Sequence, residues 1–191
     1  MSYDIQCRYF EKAGRENTRD VLETSSQRAR QLGISTVLVA TCSGKTAMEA
    51  IDHLGPDIQI IAVTHYTGFV RPDHQEMKEE TRRTLEAKEV RILTCQHAFG
   101  GVGRGIRMAL KTYQVEELMA YTLRMFGQGT KVAVELALMA ADAGLVRTDE
   151  DIISIGGTAT GADTALLLRP ANASEIFNLK VKEIICKPAT F

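Results

Sequence analysis

Six consecutive residues, Thr41, Cys42, Ser43, Gly44, Lys45 and Thr46, combine the groups needed to hold a phosphate. Gly44 lets the backbone approach a ligand. The N–H groups opening a helix point outward, and three hydroxyls and the Lys45 cation complete an anion site. A Walker loop would need a further glycine five positions before Gly44, where Val39 stands, and no apolar strand ends in a magnesium-binding aspartate. The pattern therefore suits one terminal phosphate rather than a triphosphate. Cys42 is either a thiol whose pKa a helix N-terminus lowers or a small residue that fits the turn.

A second set faces this one in composition. Gly156, Gly157, Thr158, Ala159, Thr160, Gly161, Ala162 and Asp163 are nearly all small, leaving room and donors for an anion where a minimal hairpin needs only two residues. Thr64, His65, Thr67 and Gly68 form a third polar loop. His65 and His97 follow strand-like runs and read as acid–base or ring-contacting groups, or as structural hydrogen-bonders. Glu11, at the end of the first strand-like segment, is another acid–base candidate. No His/Cys cluster has ligand spacing, so no metal is expected. Gly101, Gly103 and Gly105 fail the dinucleotide fingerprint, whose third glycine would fall on Ile106.

Alternating strands and helices must position these loops. Residues 36–40 and 58–64 are continuous apolar runs, as in strands covered on both faces, and Ala47, Ala50, Ile51 and Leu54 repeat at helical spacing between them. Asn17 reads as the N-cap of a helix stopped by Gly33. Residues 76–89 read as a surface helix, 106–126 as a long helical region and 130–143 as a helix buried all round. The strands at 151–155 and 164–168 are too closely linked to be parallel. A strand at 3–11 opens the chain, and one at 181–186 closes it as a sheet edge. The expectation is a mostly parallel α/β sheet with helices on both faces, in one domain over residues 1–191, its ligand beyond the carboxyl ends of the strands.

Composition narrows the partners. Lys and Arg number 23 against 24 Asp and Glu, interspersed along the helices, so no nucleic-acid-binding surface is expected. The four cysteines are widely spaced, no apolar run approaches membrane-spanning length, and residues 2–4 lack a basic-then-apolar leader; a cytoplasmic protein with free thiols is expected.

The 41–46 loop followed by Ala47, together with Ile60-Ile-Ala-Val-Thr64, resembles the C-terminal domain of pyruvate kinase, where a T-x-S-G-x-[ST] loop binds a phosphate of a sugar-bisphosphate effector. The chain is more similar to the free-standing pyruvate kinase C-terminal-like family, on Tyr9-Phe-Glu11, Gly14, Asn17-Thr18, Val63-Thr-His-Tyr-Thr-Gly-Phe69, Ala140-Ala-Asp142, Gly161-Ala-Asp-Thr-Ala165 and Arg169-Pro170. The resemblance implies a three-layer αβα fold with sheet order 3-2-1-4-5, the last strand antiparallel, plus extra terminal strands. It sets the 41–46 loop beside the 156–163 loop, and it implies flavin mononucleotide (FMN) as the cofactor of that cleft. Pyruvate kinase's effector loop carries a Trp that this chain lacks, and at 191 residues there is no room for its catalytic barrel, so neither sugar-bisphosphate binding nor kinase activity is expected. Two other readings stand beside a small phosphorylated ligand. One is an enzyme, either a flavin-dependent oxidoreductase or a transferase or isomerase, using His65, His97 or Glu11. The other is a regulatory module that assembles with copies of itself.

Overall fold

The structure, a computed structural model, describes residues 2–191. Its elements are β1 (Arg8–Lys12), α1 (Thr18–Leu32), β2 (Thr36–Ala40), α2 (Lys45–Leu54), β3 (Gln59–Thr64), α3 (Glu79–Ala87), β4 (Arg91–Thr94), α4 (Val102–Leu110), α5 (Val115–Arg124), α6 (Gln128–Asp142), β5 (Ile152–Gly156), β6 (Thr164–Arg169) and β7 (Lys180–Thr190). One seven-stranded sheet runs in the order β1-β7-β6-β5-β2-β3-β4. Without β1 and β7 this is the order 3-2-1-4-5. β6 is antiparallel to β5, and β2, β3, β4 and β5 are mutually parallel.

The sheet separates two cores. Val37 and Val39 of β2 pack with Val21, Leu22, Ala47, Leu54 and Leu85 from α1, α2 and α3, while Leu38 faces Ala133, Ala137 and Leu138 of α6 and Ala120 of α5. A strand covered on both sides has no solvent face, which is why its sequence is apolar without alternation. Each fully buried Leu or Ile contributes on the order of 1.5–3 kcal/mol, and the largest are concentrated in β5, β6 and the helices flanking them.

Three expectations are corrected and a fourth is refined. The closing strand is longer, Lys180–Thr190, and is not an edge: β1 pairs with it in parallel, Arg8 opposite Cys186, so β1 and β4 form the edges. β1 itself is shorter than residues 3–11. The helical region at 106–126 is two helices. Lys111 adopts a left-handed conformation (φ 56°) that closes α4, and Glu117 accepts the Gln114 N–H at 3.4 Å to open α5. Asn17 does hold the N-cap position of α1, but without a side-chain cap bond; its amide donates instead to the Lys12 carbonyl at 2.8 Å, bracing the turn after β1. Among the described residues no helix is long and apolar enough to cross a membrane.

Candidate functional site

Two adjoining cavities open at the carboxyl ends of β2 and β3. The first, about 400 Å3, is lined by Thr41, Cys42, Ser43, Lys45 and Thr46 on one side and Gly157, Ala159, Thr160 and Gly161 on the other, with Arg15 at its mouth. The 41–46 and 156–163 loops therefore do face each other. Gly44 sits at φ 90°, and a Cβ there would come within 2.5 Å of Thr81 Cγ2, so the turn admits no side chain. Among the described residues no side chain caps α2. Among the described residues, the N–H groups of Ser43, Gly44, Lys45 and Thr46 donate to no protein acceptor. Four orphan donors at a helix start form a site of positive potential.

The facing loop is held from behind. Asp163 is fully buried; its carboxylate accepts the Thr158 N–H at 3.0 Å and the Thr164 hydroxyl at 2.8 Å. Ala162 N–H donates to Thr18 Oγ1 at 3.0 Å, tying the loop to the start of α1. Gly156 packs so tightly that an added Cβ would lie 2.3 Å from the Gly129 carbonyl. Gly156, Thr158, Ala162 and Asp163 thus frame the cavity without lining it. Ala159, on the lining, is left-handed (φ 62°), a conformation costing a residue with a Cβ about 1–2 kcal/mol.

The second cavity, about 360 Å3, shares Ala40, His65, Gln128 and Val132 with the first and extends beneath α4, α5 and α6. Its wall carries Thr64, Phe69, His97, Arg104, Arg107, Arg124, Lys131, Glu117 and Glu135. Arg107 pairs with Glu117 at 2.6 Å, and Lys131 with Glu135 in a close buried contact. Arg124 instead donates to Gln128 Oε1 at 2.7 Å, and the Arg104 guanidinium lies 4.3 Å from the centre of the Phe69 ring. Neither meets a carboxylate among the described residues, so two cations remain available to an anionic group.

His65 stands at the junction. Its Nδ1 lies 2.6 Å from Glu76 Oε2 and its Nε2 lies 3.2 Å from Cys42 Sγ. A carboxylate only accepts, so Nδ1 carries the hydrogen, a neutral ring leaves Nε2 as acceptor, and the Cys42 thiol donates to it. Burial, with the Glu76 carboxylate adding to it, pushes the Cys42 thiol up to about 11, the reverse of the lowering a helix N-terminus alone would give. The His65 ring stacks on Phe69 (centroids 3.8 Å apart) and meets His97 edge-on at 5.3 Å. Burial pulls His97 down to about 4; Glu135 opposes this, while His65, Lys131 and Arg104 reinforce it.

Glu11 falls outside both cavities, on edge strand β1, four positions from β2 and hence roughly 20 Å away at ~4.8 Å per strand. Thr67 and Gly68 shape the loop, Gly68 N–H donating to the His74 carbonyl at 3.0 Å, and line neither cavity. Sequence reasoning missed Arg15, Glu76, Phe69, Arg104 and Arg124. Lys131 and Glu135 did leave a signal: two charges four apart in a helix otherwise apolar all round. Cys42, His65 and Glu76 also place three metal-type ligand atoms within 4.8 Å of one another, a gathering that no sequence spacing announced.

A family model described as pyruvate kinase, alpha/beta domain, matches residues 19–168. The chain belongs to the pyruvate kinase alpha/beta domain family. The matched span runs from α1 to the end of β6 and leaves out β1 and β7. Solved structures similar to this alpha/beta domain include Cryptosporidium parvum pyruvate kinase, at 14% identity over 81% of this chain and 22% of that one, TM-score 0.41. The same organism's enzyme in complex with ADP is similar at 16% identity, 81% and 24% coverage, TM-score 0.42. The chain spans less than a quarter of the length of those enzymes.

Proposed function

We propose that this alpha/beta domain protein binds a small phosphorylated ligand, FMN first among candidates, across the two adjoining cavities. The observation that carries the reading is the uncapped start of α2, whose unpartnered N–H groups open on a cavity faced by the 157–161 turn. A phosphate monoester matches that donor set: fixed backbone N–H groups, the Ser43 and Thr46 hydroxyls, and Arg15 and Lys45 at the rim to offset its charge. Thr64 and His65 then flank the chain leading away from the phosphate. The aromatic edge formed by His65, Phe69 and His97 offers a surface for a planar ring. Cavities of 300–1,000 Å3 are the usual size for such ligands. When bound, a flavin supplies hydride and single-electron transfer.

Purified protein mixed with FMN tests this by absorption and fluorescence. Quenched flavin emission with saturable uptake is expected, and riboflavin, which lacks the phosphate, is expected to bind at least about 100-fold more weakly, the loss of several charge-assisted hydrogen bonds. No uptake of FMN ends the flavin reading, and equal uptake of riboflavin ends the phosphate reading. A second reading, an enzyme acting on a phosphorylated metabolite, is favoured by one observation: His65, His97 and Cys42 meet where the two cavities join.

A further inference from the structure

Cys42, His65 and Glu76 come from three separate segments, the β2–α2 turn, the end of β3 and the loop before α3, yet they form one chain of contacts. Their ligand atoms lie within 4.8 Å of one another, as in a metal tripod, so a bound metal is the competing reading that the test below separates. Here the two ring nitrogens of His65 are divided between different partners, Nε2 to the thiol and Nδ1 to the carboxylate, which is the order of a nucleophile, a base and a group that orients the base. The ring has little freedom: it is stacked on Phe69, and its backbone carbonyl accepts from Gln75 Nε2 at 3.1 Å and Thr64 Oγ1 at 2.8 Å. Cys42 is half-buried on the wall of the phosphate-loop cavity, and His65 lines both cavities. A ligand spanning both cavities, from the start of α2 toward Arg104 and Arg124, has His65 on the wall of each, with the Cys42 sulfur 3.2 Å from its Nε2.

We infer that Cys42 is a catalytic nucleophile activated by His65, with Glu76 as its positioning residue, and that the site transfers acyl groups from a phosphorylated ester or thioester. The relay stands on its own contacts; the phosphorylated character of the substrate rests on the function proposed above. Cys42 Sγ attacks the acyl carbon as its proton passes to His65 Nε2. The carbonyl electron pair moves onto oxygen. Collapse breaks the bond to the leaving group, which takes the proton back from His65. Water then attacks the thioester, giving its proton to His65; the acid departs and the proton returns to sulfur.

Burial holds the Cys42 thiol up and His65 Nε2 lies 3.2 Å from its sulfur, so an acyl probe reads directly whether the histidine takes the proton in the attack. Full-length protein mixed with p-nitrophenyl acetate in the presence of EDTA is expected to release a burst of p-nitrophenolate equal to the protein concentration and to gain one acetyl group on Cys42, mapped by mass spectrometry. Cys95 and Cys7 in the same molecule serve as references and should acetylate at least tenfold more slowly. His65→Asn should cut the rate on Cys42 about 100-fold. Glu76→Gln should cut it about tenfold and alter the pH profile of acetylation, which a merely structural carboxylate would leave unchanged. Acetylation of Cys42 no faster than that of Cys95 in the unaltered protein overturns the proposal without reliance on any variant. So does an undiminished rate in a folded His65→Asn protein, or stoichiometric zinc retained without an acetyl adduct. None of these outcomes touches FMN uptake, so the two readings fail separately.

Discussion

At the scale of single residues, His97 reports how dry the second cavity is. Its pKa of about 4 lies below the 6.5 of an exposed histidine because burial penalises the charged ring. With the folded pKa depressed, the unfolded chain takes up the proton first. Stability is therefore complete above pH ~6.5 and falls as pH drops toward 4. Between pH 7.5 and pH 5 the loss assigned to this one group is roughly 2 kcal/mol. Carboxylates also titrate toward the lower pH, so the check is a difference: urea unfolding of the protein and of His97→Gln at both pH values. The variant is expected to lose roughly 2 kcal/mol less between them, and an identical loss would mean that His97 is hydrated.

At the scale of elements, α6 carries its own test. Lys131 and Glu135 are both under 10% exposed, and burial lowers the Lys131 pKa against the opposing pull of Glu135. Glu135 also accepts the Phe99 N–H at 2.9 Å, so the pair holds the 95–101 loop and with it His97. Removing one partner leaves a buried charge uncompensated, at about 3 kcal/mol, whereas removing both charges costs less. Lys131→Met and Glu135→Gln singly are expected to destabilise by about 2–4 kcal/mol each. The double variant, which keeps an amide oxygen for Phe99, should be more stable than either, as a double-mutant cycle by chemical denaturation will measure. Elements were legible where the signal is local: β2 and β3 as unbroken apolar runs, α2 by its spacing, and the antiparallel β5–β6 pair by the shortness of its link. What escaped was non-local or subtle. β7 is interior only because β1 covers it, Arg8 pairing with Cys186, 178 residues later. The break between α4 and α5 falls at Lys111, with neither glycine nor proline to mark it. The two facing loops could be read from composition, but the contact of Cys42 with His65 and of His65 with Glu76 spans 23 and 11 residues. Nothing in the spacing announces it, because the sheet order sets it.

At the scale of the whole molecule, the site draws on α1's approach, the β2–α2 turn, the end of β3, α6 and the β5–β6 turn, so a ligand there ties both layers of helices to the sheet. Such a ligand binds only the folded chain, and linkage converts occupancy into stability. FMN at 100 times its dissociation constant should add about 2.7 kcal/mol. For a chain of this size that is a rise in midpoint temperature of roughly 5–10 °C. Arg15 and Lys45 are exposed rim residues that no core contact needs. Among the described residues, the Arg15 guanidinium pairs with Glu49 alone, at 3.8 Å, a surface pair contributing little to the fold. Arg15→Gln with Lys45→Gln should therefore leave the midpoint of the free protein within about 2 °C, while removing two charges from the phosphate's surroundings. If affinity falls a hundredfold, the same FMN concentration adds only ~0.4 kcal/mol, about 1–2 °C. Riboflavin should shift the unaltered protein by a similarly small amount. Equal shifts from FMN and riboflavin, or a full FMN shift in the double variant, would place the ligand's anchor away from the start of α2.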